Sequence, residues 1–120
     1  MEKIKSYRDL ETWQKAIELV EEVYKETRLF PKEEIYGLVS QMRRAAVSVP
    51  SNIAEGQGRN STNEFLRFLS IVYGSLCELG TQIIIVRNLT YLNSQSYERL
   101  EDMVARVGRM IHGLSNSLRK

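Results

Sequence analysis

Apolar residues recur along this chain in four separate helical rhythms. Leu10, Trp13, Ile17, Val20, Tyr24 and Thr27 fall at alternating steps of three and four, which places them on one stripe of a helix from about Leu10 to Arg28. Asp9 suits its N-cap, and Phe30 with Pro31 stops it, because the residue before a proline is pushed out of the helical region. A second segment, about Glu33 to Gly56, carries Leu38, Met42, Ala45, Val49 and Ile53. Pro50 lies inside that pattern, where it removes a backbone donor and crowds the carbonyl four residues back. A kinked continuous helix is favoured over two short ones, since the stripe keeps its phase from Val49 to Ile53, and Gly56 and Gly58 then end it.

The third rhythm is the clearest. Ser61 and Glu64 have capping-box spacing, and Phe65, Leu69, Val72, Leu76, Leu79, Ile83 and Val86 follow without a break, predicting a helix from Thr62 to Leu89. After a turn at Asn93 and Ser94, the fourth runs from about Gln95 to Leu118 on Tyr97, Leu100, Val104, Val107, Ile111, Leu114 and Leu118. Connections this short favour antiparallel neighbours. The expected fold is all-α, an antiparallel up-and-down four-helix bundle occupying residues 1–120 as a single domain. Apolar surface that helices of this length leave over would serve an oligomer interface.

Polar residues beside the stripes set the expected register. In a hairpin turning near Arg59 and Asn60, Arg44 comes beside Ser75 and Glu78, while Asn52 and Glu55 come beside Arg67. Partly buried pairs of that kind add little net stability but fix alignment, so the reading is a structural polar network. A polar ligand channel is the competing reading. Gly74, Gly80 and Gly108 each cost a helix about 1 kcal/mol relative to Ala. Close approach of the third and fourth helices would offset that cost.

Charge changes the picture only locally. Lys and Arg number 17 against 15 Asp and Glu, which excludes a strongly charged tail or a general polyanion binder. The lone cysteine, Cys77, cannot close an internal disulfide and is expected as a small buried hydrophobe in a reducing compartment. No signal-peptide pattern opens the chain, and no uninterrupted apolar run comes near the roughly 20 residues that span a bilayer, so a cytoplasmic protein without membrane association is expected.

Enzyme chemistry lacks its parts. His112 is the only histidine and no Glu lies three residues before it, which excludes the Glu-x-x-His pairs of di-iron bundles. Cys77 with His112 lacks a third, orienting group. The Gly56-x-Gly58-Arg59 run follows no strand, so a capping turn explains it better than a phosphate loop. The expectation is no catalysis, no metal and no cofactor. What remains is basic surface: Lys3, Lys5 and Arg8 at the start, and Arg43, Arg59, Arg67, Arg99, Arg106 and Arg109 as candidate phosphate contacts to RNA or DNA. A polypeptide partner is the alternative, with Tyr7, Tyr36 and Tyr73 as surface aromatics for it.

Three stretches also carry a family resemblance: YRDLETWQKAIELVEEVY (residues 7 to 24), FPKEEIYGLVSQMRRAAVSVPSNIAEGQGR (30 to 59) and NEFLRFLSIVYGSLCELGTQ (63 to 82). The chain resembles the bacterial four-helix-bundle family first noticed as open reading frames inside the intervening sequences of 23S ribosomal RNA genes. The resemblance implies an antiparallel bundle that assembles as a homopentameric barrel. It extends to the accessory proteins of diversity-generating retroelements, which bind a reverse transcriptase and nucleic acid through basic surface. A homo-oligomer, an RNA or DNA partner and a polymerase-type protein partner are what the resemblance implies here.

Overall fold

The computed structural model describes residues 6–120 and is built of helices alone among them. Four long helices, α1 (Glu11–Thr27), α2 (Ser40–Gly58), α3 (Thr62–Asn88) and α4 (Ser94–Leu118), pack as α1 on α2, α2 on α3, α3 on α4 and α4 on α1. That closed cycle of sequential neighbours is the expected antiparallel up-and-down bundle, 47 Å long. Lys3 and Lys5 lie outside the described residues.

The core is made by one stripe from each helix. Leu19, Met42, Val49, Ile53, Val72, Leu79, Ile83, Val86 and Leu100 are fully buried, and Val107 and Ile111 nearly so. Three of the four expected stripes supply these positions. α1 is the exception: its buried row is Thr12, Ala16, Leu19, Val23, Glu26 and Thr27. Trp13, Ile17 and Val20, taken as the core row, lie one position round and are only half-buried, and Tyr24 is exposed. Both rows are apolar at helical spacing, so periodicity alone does not decide which one faces inward. The small Thr12 and Ala16 let α1 lie close to its neighbours, and the bulky row flanks the contact.

Helix ends follow local chemistry. Ser61 Oγ accepts from the Glu64 backbone N–H at 3.2 Å, forming the expected N-cap, and Asn93 Oδ1 accepts from Ser96 N at 2.7 Å. Asp9 is not a cap: it closes a short 3-10 turn, Tyr7–Asp9, and Leu10 begins α1. The segment is continuous across Pro50, as favoured over two short helices, and a second irregularity lies further upstream. α2 runs continuously through Pro50, whereas Gly37, at φ −108° and ψ −111°, breaks helical geometry within a π-type turn spanning Ile35–Val39. The proline is buried.

The glycines exchange roles. A Cβ on Gly74, Gly80 or Gly108 would meet nothing within 4 Å, so none of them marks a close approach of α3 and α4. Gly56 does mark one. Its Cβ would sit 2.6 Å from Phe68 Cβ, which makes it a point of close approach between α2 and α3, just before α2 ends at Gly58 as expected. α3 is long and apolar enough, by length and composition, to cross a membrane. Here it is the core helix packed on α2 and α4, and it leaves Ile71, Tyr73, Ile84, Ile85 and Leu89 exposed.

Candidate nucleic-acid interface

At one end of the bundle the last turn of α1, the connection after it and the first turns of α2 enclose a groove of about 770 Å³. Phe30 is buried and anchors the connection to the core, and Pro31 starts the 3-10 turn Lys32–Glu34. A π-type turn follows, in which Ile35 and Tyr36 face outward, Tyr36 at 96% exposure. Such turns recur at functional sites. The outer side of the turn is held by Glu34, whose carboxylate accepts from the Leu38 N–H at 3.4 Å and from the Tyr91 hydroxyl at 2.8 Å. The hydrogen bond with Tyr91 raises the Tyr91 pKa above the ordinary tyrosine value and ties Glu34 to the α3–α4 connection.

The groove wall carries Arg28, Lys32, Arg43 and Arg44 with Tyr24, Phe30 and Tyr36, and no carboxylate among the described residues lines it. Arg43 is fixed: its Nε donates to Thr27 Oγ1 at 3.0 Å, Nη2 donates to the Tyr24 carbonyl at 3.4 Å, and its guanidinium lies 4.4 Å from the Tyr24 ring centre. Thr27 is oriented in turn by donating to the Val23 carbonyl at 2.7 Å. Arg28, Lys32 and Arg44 make no ion pair with any described residue. Four cations facing one cleft without compensating acid produce a positive potential that low-dielectric walls concentrate.

The other arginines proposed as phosphate contacts do not join this surface. Arg59 and Arg67 sit at the opposite end, beside the α2–α3 turn, where Arg59 pairs with Glu55 at 2.8 Å and Arg67 with both oxygens of Glu64 at 3.1 Å. Their guanidinium groups lie over the Phe68 ring, 5.1 and 4.7 Å from its centre. Arg99 links α4 to α1 through Glu22 at 3.2 Å and Glu26 at 3.4 Å. Arg106 and Arg109 are exposed on α4. Only Arg43 of the six lines the groove, and Arg28, Lys32 and Arg44 were missed as contacts. The signal for them was present: an antiparallel hairpin brings the basic residues at 28 and 32 back against the Arg-Arg pair at 43 and 44.

The expected polar network does not form as written. Arg44 faces the groove, Asn52 Nδ2 donates to the Ser48 carbonyl of its own helix at 2.8 Å, and Glu55 and Arg67 each pair within their own helix. Ser75 makes no side-chain hydrogen bond among those described, and Glu78 meets only Gln82, at 3.5 Å. Arg44, Glu55, Arg67 and Glu78 are all exposed, so desolvation does not force pairing across helices. A partner three or four residues away costs less side-chain entropy than one on another helix. Glu55 still helps to raise the Arg67 pKa at longer range, behind the hydrogen bond from Glu64.

A second, smaller groove of about 360 Å³ runs between α3 and α4 past Gly80 and Gly108. Cys77 and His112 both line it, and Cys77 is exposed rather than buried as expected. The His112 ring packs on Tyr73 with centres 4.6 Å apart. No group of three or more His, Cys, Asp or Glu side chains among the described residues is placed to hold a metal ion.

The fold is an all-α four-helix bundle, and the groove at the α1–α2 end is lined by basic and aromatic side chains. The chain belongs to the 23S rRNA-intervening sequence protein family, whose profile matches residues 8–113. Among solved structures it is similar to a protein of unknown function from the S23 ribosomal protein family of Bacteroides thetaiotaomicron VPI-5482, with a TM-score of 0.78 and 17% identity. That similarity covers 87% of this chain and 97% of the other, and at this identity it shows the fold alone. No curated protein matches the chain.

Proposed function

We propose that the protein is a non-enzymatic, oligomeric scaffold of the cytoplasm that binds RNA or DNA through basic surface. One observation carries the reading: Arg28, Lys32, Arg43 and Arg44 converge on a groove that no carboxylate among the described residues lines, in a chain whose formal net charge is only +2. Phosphate is the abundant ligand chemistry that such a cleft attracts. The exposed Ile71, Ile84, Ile85 and Leu89 of α3 support self-association, for which a homopentamer is the proposed state, since apolar side chains gathered on one helix gain by covering one another. A ring would repeat the groove once per subunit and strengthen a weak contact by avidity.

A gel-shift titration against structured RNA and duplex DNA at two salt concentrations tests the reading, with light scattering for the oligomer. Affinity should fall steeply with salt. Binding weaker than about 100 μM at low salt, below ordinary non-specific association, ends the nucleic-acid reading.

The same exposed α3 residues, with Tyr73 at 41% exposure, favour a second reading in which the partner is a polypeptide such as a reverse transcriptase. A stoichiometric protein that stays bound after nuclease treatment would favour it over the first.

A further inference from the structure

We infer that the groove between the end of α1 and the start of α2 is a site for single-stranded nucleic acid, in which Tyr36 stacks on a base while Arg28, Lys32 and Arg44 contact phosphates. The inference rests on the nucleic-acid reading above and adds to it the strand state of the ligand and the groove that holds it.

Geometry separates a single strand from a duplex here. The cations line a concavity of about 770 Å³ between two helices, within the ~300–1,000 Å³ range of clefts that enclose small molecules. Duplex readers instead push a convex helix or ribbon into the nucleic-acid groove. The bases of a duplex already stack on each other, so a protein ring meets only sugar and phosphate. A single strand presents free base faces, and proteins that hold one combine a positive groove with aromatic platforms.

Tyr36 has the properties of such a platform. It is 96% exposed, so it contributes little to the core. The π-type turn with its non-helical Gly37 projects it beside the cations, and Glu34 holds that turn through Leu38 and Tyr91. One wall of the groove is already a flat stack, the Arg43 guanidinium on the Tyr24 ring at 4.4 Å. Arg43 is held there by Thr27 and the Tyr24 carbonyl, which leaves Arg28, Lys32 and Arg44 as the cations free of partners among the described residues. The carboxylates of an acidic polypeptide would match the cations but offer Tyr36 no flat face to stack on, whereas a base with its phosphate does both.

The test is fluorescence anisotropy of the full chain with labelled 12-nucleotide oligo-uridine and oligo-deoxythymidine, a duplex of equal length, and labelled poly-glutamate. Titrations at low and moderate salt compare wild type with Tyr36→Ala, Tyr36→Phe, Arg44→Ala and, outside the groove, Arg106→Ala. Single strands should bind more tightly than the duplex and than poly-glutamate. Tyr36→Ala should weaken single-strand binding about tenfold, the scale of one stacked base, with Tyr36→Phe close to wild type. Arg44→Ala should reduce the salt dependence by about one phosphate contact, and Arg106→Ala should leave it unchanged. Equal binding of duplex and single strand, with Tyr36→Ala within twofold of wild type, overturns the inference while the broader reading stands. Poly-glutamate bound as tightly as the oligonucleotides overturns it in favour of an acidic protein partner. Failure of every nucleic acid to bind removes both readings. Because Tyr36 lies outside the core, unchanged circular dichroism is expected of its variants.

Discussion

Replacing Gly56 by Ala adds one methyl group at a close approach of α2 and α3. The new Cβ would lie 2.6 Å from Phe68 Cβ and 3.1 Å from Phe65 Cδ1. Carbon atoms pack comfortably at roughly 3.5–4.0 Å, so the helices must separate by about 1 Å at this point. Phe68 cannot rotate out of the way, because its Cβ is fixed by the α3 backbone and its ring is buried at 5% exposure. Overpacking of this kind costs about 1–3 kcal/mol, here in the upper half of that range, and Ala returns about 1 kcal/mol of helix propensity. The net expectation is destabilisation by about 1–2 kcal/mol, a urea midpoint lowered by roughly 0.5–1 M at ordinary slopes. Far-ultraviolet circular dichroism during urea unfolding, at one fixed protein concentration, reads it directly. Gly74→Ala and Gly108→Ala supply the contrast. Both sites are helical with open space around the added methyl, so each should gain about 0.5–1 kcal/mol. A Gly56→Ala protein as stable as wild type would refute the close approach of α2 and α3 on which this packing argument stands.

Other consequences can be measured separately. Arg99→Ala leaves the carboxylates of Glu22 and Glu26, 16% and 11% exposed, without their partner on α4, and should cost about 1 kcal/mol, less at high salt; no change in urea midpoint at low salt would show that the tie is idle. The Glu64 carboxyl is held below the ordinary glutamate pKa by the hydrogen bond from Arg67, so this pair stabilises the fold above the unfolded-state value and stops doing so as pH falls through the depressed one. NMR titration should place Glu64 low and Arg67→Ala should return it upward, and an unchanged midpoint in that variant contradicts the pairing. Gln82 is 5% exposed, and its Oε1 finds no hydrogen-bond partner. Gln82→Met should therefore stabilise the protein by about 1 kcal/mol, and a lowered urea midpoint would refute the cost assigned to the unpartnered amide oxygen.

How far the fold could be read from residues varied by helix, for physical reasons. α3 was legible from its first residue to its last turn because cap, stripe and phase agree. α1 was legible as a helix but not in its orientation, since Trp13–Ile17–Val20 and Ala16–Leu19–Val23 are equally good apolar rows. Which row turns inward is settled by what α2 and α4 present to it. Pro50 was legible as a residue the helix continues through, because the apolar stripe keeps its phase across it, whereas the irregularity at Gly37 gives no warning beyond a glycine near a helix start. The glycines failed for a related reason. A glycine in a helix announces its cost but not its cause, and only the register of α2 on α3 distinguishes Gly56, which must be small, from Gly74 and Gly108, which need not be.

The candidate site was harder to read because surface cations acquire meaning only through their neighbours. Arg59, Arg67 and Arg99 have the same sequence credentials as Arg44, yet each faces a carboxylate within 3.4 Å, and a cation so matched offers a phosphate little. Arg44 looked like half of a buried ion pair, but on the outward side of α2 it faces Arg28 and Lys32 across a hairpin. A chain with nearly equal positive and negative charge separates its signs in space rather than in sequence. Glu22, Glu26, Glu55 and Glu64 sit beside arginines elsewhere on the bundle, whereas Arg28, Lys32 and Arg44 at the groove have no such partner among the described residues. That separation is why a formal charge of +2 is a poor argument against a polyanionic partner. What such a partner meets is the local field between α1 and α2, where four positive side chains lie against a ring that the core does not need.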